Sequence, residues 1–334
     1  MLAAIYAACI GSLELSASEY NAFVTSPWVH ESIAGTDRIT SLLVTGELGD
    51  VVEPPGSLPV IVCWIGDTFG GEGPSHADLV IGSGSRDISE FAAAVDRNPL
   101  AATALAVLLR SSTDCSVAAA LAHESAVYSM LQAGPEFAAW RASVPREPAE
   151  ADSTPTVTVE RDNDTLTITL NRPQRHNAIT SRLRDDLCEA LAVAVTDDSI
   201  AEVVLRGNGR SFCSGGDLAE FGSRLDPATA HISRLAQSPA RHLYIVRDRL
   251  TAEIHGATLG GGIEMAAFAH RVVARSDTTI GLPEVGLGLI PGAGGTVSIP
   301  HRIGRQRTAA LALTNRRIDG ATALAWGLVN ELRD

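Results

Sequence analysis

Two glycine-rich segments, each carrying one glutamate, constrain this chain more than any other feature. Glu264 ends the run Gly260-Gly261-Gly262-Ile263-Glu264, and Glu284 follows Pro283 just ahead of the glycine-rich run 286–295. Glycine permits sharp turns and lets a ligand approach the backbone closely. Two carboxylates on such turns can act on one water beside an activated carbonyl. The pattern therefore predicts acid–base chemistry next to a stabilised oxyanion.

The composition is that of a folded enzyme or binding protein. The chain has 334 residues, 45% of them hydrophobic, and a formal net charge of −13. This charge disfavours nucleic acid as a partner, because no basic stripe offsets it. We expect no membrane span and no signal peptide, since no apolar run is long enough and no basic residue precedes the apolar start. The five scattered cysteines form no Cys-x-x-Cys pair, so we expect a reducing cytoplasm and no metal site.

A polar, proline-bearing stretch divides the sequence. Residues 145–155 read PREPAEADSTP, which is a linker composition. We therefore predict one domain over residues 1–150 and a second over residues 151–334. Strands, turns and helices alternate in the second domain, which predicts an α/β protein. The strands predicted there are 156–160, 165–170, 201–205, 250–254 and 271–274, and the helices are 181–195 and 265–269.

The first domain contains a faint copy of the second. Two strand-like runs, 59–64 and 78–81, precede helical patterning over about residues 90–142. Residues 65–71, IGDTFGG, align with residues 255–261, HGATLGG. The copy has no counterpart of the two glutamates. A duplicated and degenerated unit explains the alignment, and chance in an alanine- and glycine-rich chain is the alternative.

Six motifs follow one another along the second domain. They are LNRP at 170–173 with NA at 177–178, FCSGGDL at 212–218, HG at 255–256 with GGGIE at 260–264, PEVGLG at 283–288, PGAGGT at 291–296, and GLV at 327–329. In this order they resemble the enoyl-CoA hydratase/isomerase (crotonase) superfamily. The resemblance implies a spiral of ββα turns that binds an acyl-CoA thioester, preceded here by a degenerate crotonase-like, helix-rich N-terminal region.

The resemblance also implies roles for particular residues. The backbone N–H groups of Gly216 and Gly261 match the family's oxyanion hole, and Glu264 and Glu284 match the two glutamates of hydratases. The residues that match coenzyme A contacts are Gly216, Asp217, Leu218 and Ala219, together with Gln174, Arg175 and His176. A solvated loop is the alternative for residues 174–176, and an anchor of its turn is the favoured role of Asp217.

These residues predict hydration of a 2-enoyl-CoA, or the reverse dehydration. The alternatives are an enoyl-CoA isomerase or another crotonase reaction that hydrolyses a thioester or a C–C bond, because one enolate serves all of them. A non-catalytic crotonase-like partner subunit is the alternative from another class. We expect no cofactor beyond the coenzyme A of the substrate. The resemblance further implies a homo-oligomer, a trimer or a hexamer.

The C-terminal end departs from the family. Crotonases continue beyond Gly-Leu-Val with helices that cover the site, whereas this sequence reaches Asp334. Residues 93–140 are similar to those helices, notably at 121–128 (LAHESAVY) and 134–137 (GPEF). We therefore expect the N-terminal helices to cap the second domain, as in a circular permutation. His123 and Glu124 are expected to be ordinary surface or interface residues.

Overall fold

The computed structural model describes most of the chain. The described residues are 11–34, 39–46, 52–54, 58–71, 73–145, 154–223 and 226–334. The apolar start with Cys9 and most of the predicted linker, residues 146–153, lie outside the described residues. The boundary predicted between residues 150 and 151 therefore stays a prediction.

The N-terminal segment begins with a parallel sheet. Its strands pair in the order β1-β2-β3-β4, and each is parallel to its neighbour. Branched apolar side chains fill β2–β4 and are buried, as expected when both faces of a parallel sheet are covered. The strands are β1 (Ser12–Ser16), β2 (Ser41–Thr45), β3 (Ile61–Gly66) and β4 (Leu79–Gly82).

Helices account for most of the remaining N-terminal segment. Two short helices, α1 (Ala17–Val24) and α2 (Val29–Ala34), lie between β1 and β2. Ser116 accepts a hydrogen bond from the Ala119 amide and so caps the longest helix of this segment, α5. The helices that follow β4 are α3 (Ser85–Arg97), α4 (Pro99–Ser111), α5 (Val117–Gln132) and α6 (Pro135–Ser143). They occupy the stretch predicted to be helical, while descent from a crotonase copy stays a prediction.

The C-terminal segment is built on a second sheet. Its strands pair in the order β13-β10-β8-β7-β6-β5, and every pair is parallel except the β5–β6 hairpin. A small sheet of order β12-β11-β9 stands beside it. The strands are β5 (Val157–Asp162), β6 (Thr165–Leu170), β7 (Glu202–Gly207), β8 (Leu250–Ile254), β9 (Ala257–Leu259), β10 (Arg271–Arg275), β11 (Thr279–Gly281), β12 (Ile318–Asp319) and β13 (Glu331–Arg333).

Helices and short 3-10 turns connect these strands. The 3-10 turns are Pro173–Arg175, Arg247–Arg249 and Glu284–Leu287. The helices are α7 (Ser181–Thr196), α8 (Pro227–Ala236), α9 (Pro239–Val246), α10 (Gly261–Ala266), α11 (Gly295–Leu313) and α12 (Gly320–Trp326). No single helix in the described ranges is long and apolar enough to cross a membrane, although the bent pair 86–97 and 99–111, which meets at 106°, passes that test jointly.

The helix predicted at 265–269 is misplaced. The structure begins α10 at Gly261 and ends it at Ala266. Because glycine disfavours helices, the sequence pattern predicts a helix that begins only after the three glycines. Glycine is nevertheless required inside this helix, because the chain packs so closely here that a side chain at Gly262 would overlap the Cys213 carbonyl oxygen. Its first turn therefore runs through the glycines themselves.

The two segments share one hydrophobic core. Helix α11 packs against β4, α4 and α5 of the N-terminal segment, and the same buried cluster includes Leu105 and Leu311. Hydrogen bonds also join the two segments. The Asn98 side-chain amide donates to the Val285 carbonyl at 2.7 Å, and Gln306 donates to the Pro74 carbonyl at 2.6 Å. The N-terminal helices are thereby fixed against the segment that carries the motifs.

Candidate active site

A cavity of about 500 Å³ lies between the N-terminal helix α5 and the turns of the C-terminal segment. Helices α8 and α9 form a further wall, and their polar and charged members include Arg234 and Arg241. Five of the predicted site residues line this cavity together: Gly216, Asp217, Gly261, Glu264 and Glu284. Its volume is in the range typical of small-molecule sites.

The two glycine amides occupy neighbouring turns. A parallel bridge joins Cys213 to Thr258, and the Leu259 amide donates to the Cys213 carbonyl at 3.0 Å, so the two segments run side by side. The amides of Asp217 and Gly260 bond to backbone carbonyls, each at 2.9 Å. Among the described residues, the amides of Gly216 and Gly261 have no acceptor. Two free N–H donors thus border one cavity.

Side chains are excluded at both glycines. A Cβ at Gly216 would overlap the Phe221 ring, and one at Gly261 would lie 2.7 Å from Ile179 Cδ1. The turn before Gly261 also depends on glycine, since Gly260 has φ +47° and ψ −125°, a conformation that L-residues avoid. Glycine at these positions therefore keeps both amides accessible from the cavity.

Glu264 is buried at the base of the cavity. Its Oε2 accepts hydrogen bonds from the amides of Ala293 at 2.6 Å and Gly295 at 2.9 Å. Burial raises the pKa of Glu264 well above its ordinary range, and the charges of Glu284 and Glu124 raise it further. The two amide donors oppose this shift, because they stabilise the carboxylate form.

Glu284 opens the 3-10 turn that follows Pro283. A Cβ at Gly260 would overlap its Oε1, which places the carboxyl group directly against the turn before α10. Its Oε2 is buried without a hydrogen-bond partner in the described part of the chain. Burial raises the pKa of Glu284 to about 8, and the charge of Glu124 adds to the increase. At Oε2, Glu284 thus lacks the amide donors that stabilise the charged form of Glu264.

A third carboxyl group reaches the site from the N-terminal segment. The expectation that Glu124 is a surface or interface residue is wrong, because its side chain is 2% exposed. It accepts from the amides of Gly294 at 2.8 Å and Thr296 at 2.9 Å, and from the Thr296 hydroxyl at 2.7 Å. Burial raises the pKa of Glu124 to about 7, against the lowering effect of these donors and of Arg234.

The residues expected to contact coenzyme A are only partly at the cavity. Asp217 lines it, and also pairs with Arg172 at 3.1 Å and accepts from the Ala219 amide at 3.1 Å, as an anchor of the turn would. Residues 174–176, Leu218 and Ala219 are outside the cavity lining. His176 Nδ1 lies 2.9 Å from Ser211 Oγ. Coenzyme A contact by these residues stays a prediction.

No metal site is evident among the described residues, where no group of three or more His, Cys, Asp or Glu side chains is arranged to hold an ion. Cys213, which lies beside the first turn, is fully buried. Burial raises the pKa of its thiol to about 12, so it is a poor nucleophile. The groups in this cavity that can exchange protons or stabilise a negative charge include the three carboxyl groups and the two free amides.

Comparison with known proteins identifies the family. The family model for enoyl-CoA hydratase/isomerase matches residues 160–333. The chain belongs to the enoyl-CoA hydratase/isomerase (crotonase) family. Its C-terminal half has the crotonase-like α/β fold of this enzyme family.

Individual relatives agree with this assignment. The 2,3-dehydroadipyl-CoA hydratase of Escherichia coli (strain K12) is 37% identical over 174 residues, which are 52% of this chain and 68% of that protein. An enoyl-CoA isomerase/hydratase of Mycosarcoma maydis is 36% identical over 178 residues, 49% of this chain and 64% of that protein. This crotonase family member thus spans about two thirds of the length of its relatives.

Solved structures give the same result. An enoyl-CoA hydratase/carnithine racemase from Magnetospirillum magneticum superposes with a TM-score of 0.50 at 27% identity, over 54% of this chain and 68% of that one. The motifs of the crotonase family were visible in the sequence, and the N-terminal helices were expected to cap the second domain; the structure places α5 in the cavity wall. The contribution of α5 to the turn that holds Glu264 was not foreseen. The signal that could have revealed it is Glu124 itself, a charged residue within the apolar stretch that resembles the family's terminal helices.

Proposed function

We propose that this crotonase family member adds water to the double bond of a 2-enoyl-CoA, or catalyses the reverse dehydration. The observation that carries the proposal is the pairing of two unengaged amides, Gly216 and Gly261, with two buried carboxyl groups in one cavity. Hydration of an α,β-unsaturated thioester builds negative charge on the thioester oxygen. Each donor at such an oxyanion is worth about 3 kcal/mol.

In the proposed mechanism the two glutamates take opposite protonation states. Glu264, held by two amide N–H groups, is the carboxylate that accepts a proton from water as the water oxygen bonds to the β-carbon. The electron pair of the double bond moves onto the thioester oxygen, where Gly216 and Gly261 would stabilise it. Glu284, whose buried Oε2 has no hydrogen-bond donor among the described residues, is the protonated partner and then donates its proton to the α-carbon as the carbonyl re-forms. Proton exchange between the glutamates restores the starting state.

The cavity walls suit an acyl-CoA. The apolar members of α5, α8 and α9 would face the acyl chain. Arg184 and the exposed Arg241 stand among the polar lining residues, where guanidinium groups could bind the phosphates of coenzyme A. The proposal requires no cofactor other than the coenzyme A of the substrate.

Glu264→Gln and Glu284→Gln test the proposal. Each should lower kcat for hydration of a short 2-enoyl-CoA by about 10²- to 10⁴-fold, the usual contribution of a general acid or base. Affinity for an unreactive acyl-CoA, measured by calorimetry, should remain nearly unchanged. Glu160→Gln is the matched control, because its side chain is 73% exposed, and it should retain wild-type kcat.

The outcomes separate the alternative functions. Full hydration activity in either glutamine variant would overturn the assigned roles. Turnover of a 3-enoyl-CoA but not of a 2-enoyl-CoA by the wild type would indicate an isomerase. Acyl-CoA binding without any turnover would indicate a non-catalytic partner.

A further inference from the structure

Four consecutive amides at the start of α11 are divided between two carboxylates from different parts of the chain. The amides of Ala293 and Gly295 donate to Glu264, at 2.6 and 2.9 Å. The amides of Gly294 and Thr296 donate to Glu124, at 2.8 and 2.9 Å. The donors alternate along the backbone, so the turn is held from two sides.

The turn provides no side-chain acceptor for its own amide groups. Its N-cap is Gly294, with φ +99° and no side chain to accept a hydrogen bond. The first amides of a helix have no partner within the helix and need an acceptor from elsewhere. A carboxylate suits that place, because the N-terminal end of a helix carries partial positive charge. Glu124 and Glu264 are the acceptors that the structure provides.

The surroundings of Glu124 bring it close to the other charged groups of the site. Tyr128 lies one turn further along α5 and packs on Gly292, just before the shared turn. The Arg234 guanidinium from α8 stacks over the Tyr128 ring at 4.7 Å. Among the described residues, Glu264 from α10 and Glu284 from the 3-10 turn also interact with Glu124.

We propose that Glu124 is a positioning residue for the acid–base pair: by holding Gly294 and Thr296, it fixes the turn whose alternate amides hold the Glu264 carboxylate. The inference rests on the proposed hydration, in which Glu264 accepts the proton of water. It assigns a functional contribution to the N-terminal segment, because α5 supplies one of the two carboxylates that define the turn. In this role Glu124 acts through the turn and not on the substrate itself.

Two consequences distinguish this role from simple helix capping. Glutamine at position 124 replaces one of the two acceptor oxygens by an NH2 group, which cannot accept from a backbone amide. This loosens the turn and misplaces Glu264, which lowers kcat more than it raises KM. Loss of the charge at position 124 also removes a repulsion that raises the pKa of both Glu264 and Glu284. The pH–rate profile should then move to lower pH.

Glu136 provides a matched control for capping. It accepts from the amides of Leu100 at 2.6 Å and Ala101 at 2.9 Å, at the start of α4. It lies outside the cavity lining. Glu136→Gln therefore disturbs the same kind of helix cap, a glutamate from another helix on two backbone amides, without touching the turn that holds Glu264.

The experiment measures kcat and KM for a short 2-enoyl-CoA at a series of pH values in Glu124→Gln, Glu136→Gln and wild type. Glu124→Gln should lower kcat by about tenfold or more, as expected for a misplaced catalytic group, with KM within about threefold of wild type and a profile shifted to lower pH. Glu136→Gln should keep the wild-type kcat and profile. Equal effects of the two variants, or an unchanged kcat and profile in Glu124→Gln, would overturn the inference.

A second variant keeps the inference testable if Glu124→Gln does not fold. Thr296→Val removes only the hydroxyl donor to Glu124, at 2.7 Å, and leaves the backbone amides in place. It should give a smaller decrease in kcat and a displaced Glu264 side chain in its crystal structure; wild-type kcat with an unmoved Glu264 would contradict the proposal. Absence of hydration by the wild type would instead reject the proposed function, so the two failures are distinguishable.

Discussion

Gly295→Ala tests whether the exact placement of Glu264 matters for turnover. A Cβ at Gly295 would lie 2.5 Å from Glu264 Cγ, 2.7 Å from its Oε2 and 2.8 Å from its Cδ. Gly295 is the first residue of α11 and has no positive φ, so alanine fits the backbone. The three atoms nearest to the added methyl group therefore all belong to the Glu264 side chain.

The size of the effect follows from these distances. Ordinary contacts begin at 3.4 Å, so Glu264 must retreat by about 0.9 Å. Its hydrogen bonds from Ala293 and Gly295, now 2.6 and 2.9 Å, would lengthen, and a bond to a charged group is worth about 1.5–3 kcal/mol. Loss of one such bond corresponds to a decrease in kcat of about 10- to 100-fold. Alanine also favours a helix over glycine by up to about 1 kcal/mol, so the melting temperature should change little.

The assay is the loss of ultraviolet absorbance of a 2-enoyl-CoA, recorded with thermal unfolding on the same samples. Gly286→Ala is the control, because it adds the same methyl group in the 3-10 turn that carries Glu284, where the nearest atom would be Asn315 Nδ2 at an ordinary contact distance of 3.7 Å. The control should retain wild-type kcat. Wild-type kcat in Gly295→Ala would refute the reasoning that the amide-held position of Glu264 is needed for hydration.

Two further predictions concern stability. The folded state keeps protons on Glu124 and Glu284, with pKa values of about 7 and about 8, that the unfolded chain releases. Their contribution to the free energy of unfolding therefore falls as pH rises from about 4.5 to about 7 for Glu124 and to about 8 for Glu284, by roughly 1 kcal/mol per pH unit for each group. Urea titrations should show a shallower fall in Glu124→Gln, and an identical slope would contradict it. Arg110→Met should cost about 3–5 kcal/mol in urea unfolding, because Arg110 and Asp78 are 6% and 2% exposed and pair at 2.6 Å. Arg305 also pairs with Asp78, at 3.4 Å; a cost below about 1 kcal/mol would show that Arg305 alone can neutralise Asp78.

The parts of the fold that could be predicted from the sequence are those encoded locally. The β5–β6 hairpin alternates polar and apolar residues around a short turn, and α7 repeats leucine and alanine at helical spacing. Glu264 and Glu284 were found because glycines on either side mark the turns that carry them. Such signals depend on a few neighbouring residues, and tertiary packing does not alter them.

The parts that could not be predicted depend on distant contacts. Helices α8 and α9 carry no motif, and their positions in the cavity wall follow from packing against α5 and α7. Glu124 looks like a solvated helix residue, because its acceptor role is visible only when the turn before α11 is placed beside it. Helix α10 was misplaced for a related reason, since the close approach of Cys213 to Gly262 is a tertiary fact.

The contact between Glu124 and Thr296 also bears on how the protein is made. The two residues are 172 positions apart in the chain, and Glu124 leaves the ribosome first. Its buried carboxylate has no hydrogen-bond donor from the turn until residues 294–296 have been synthesised. The active site therefore cannot exist in a nascent chain shorter than this, however completely the N-terminal helices have already folded.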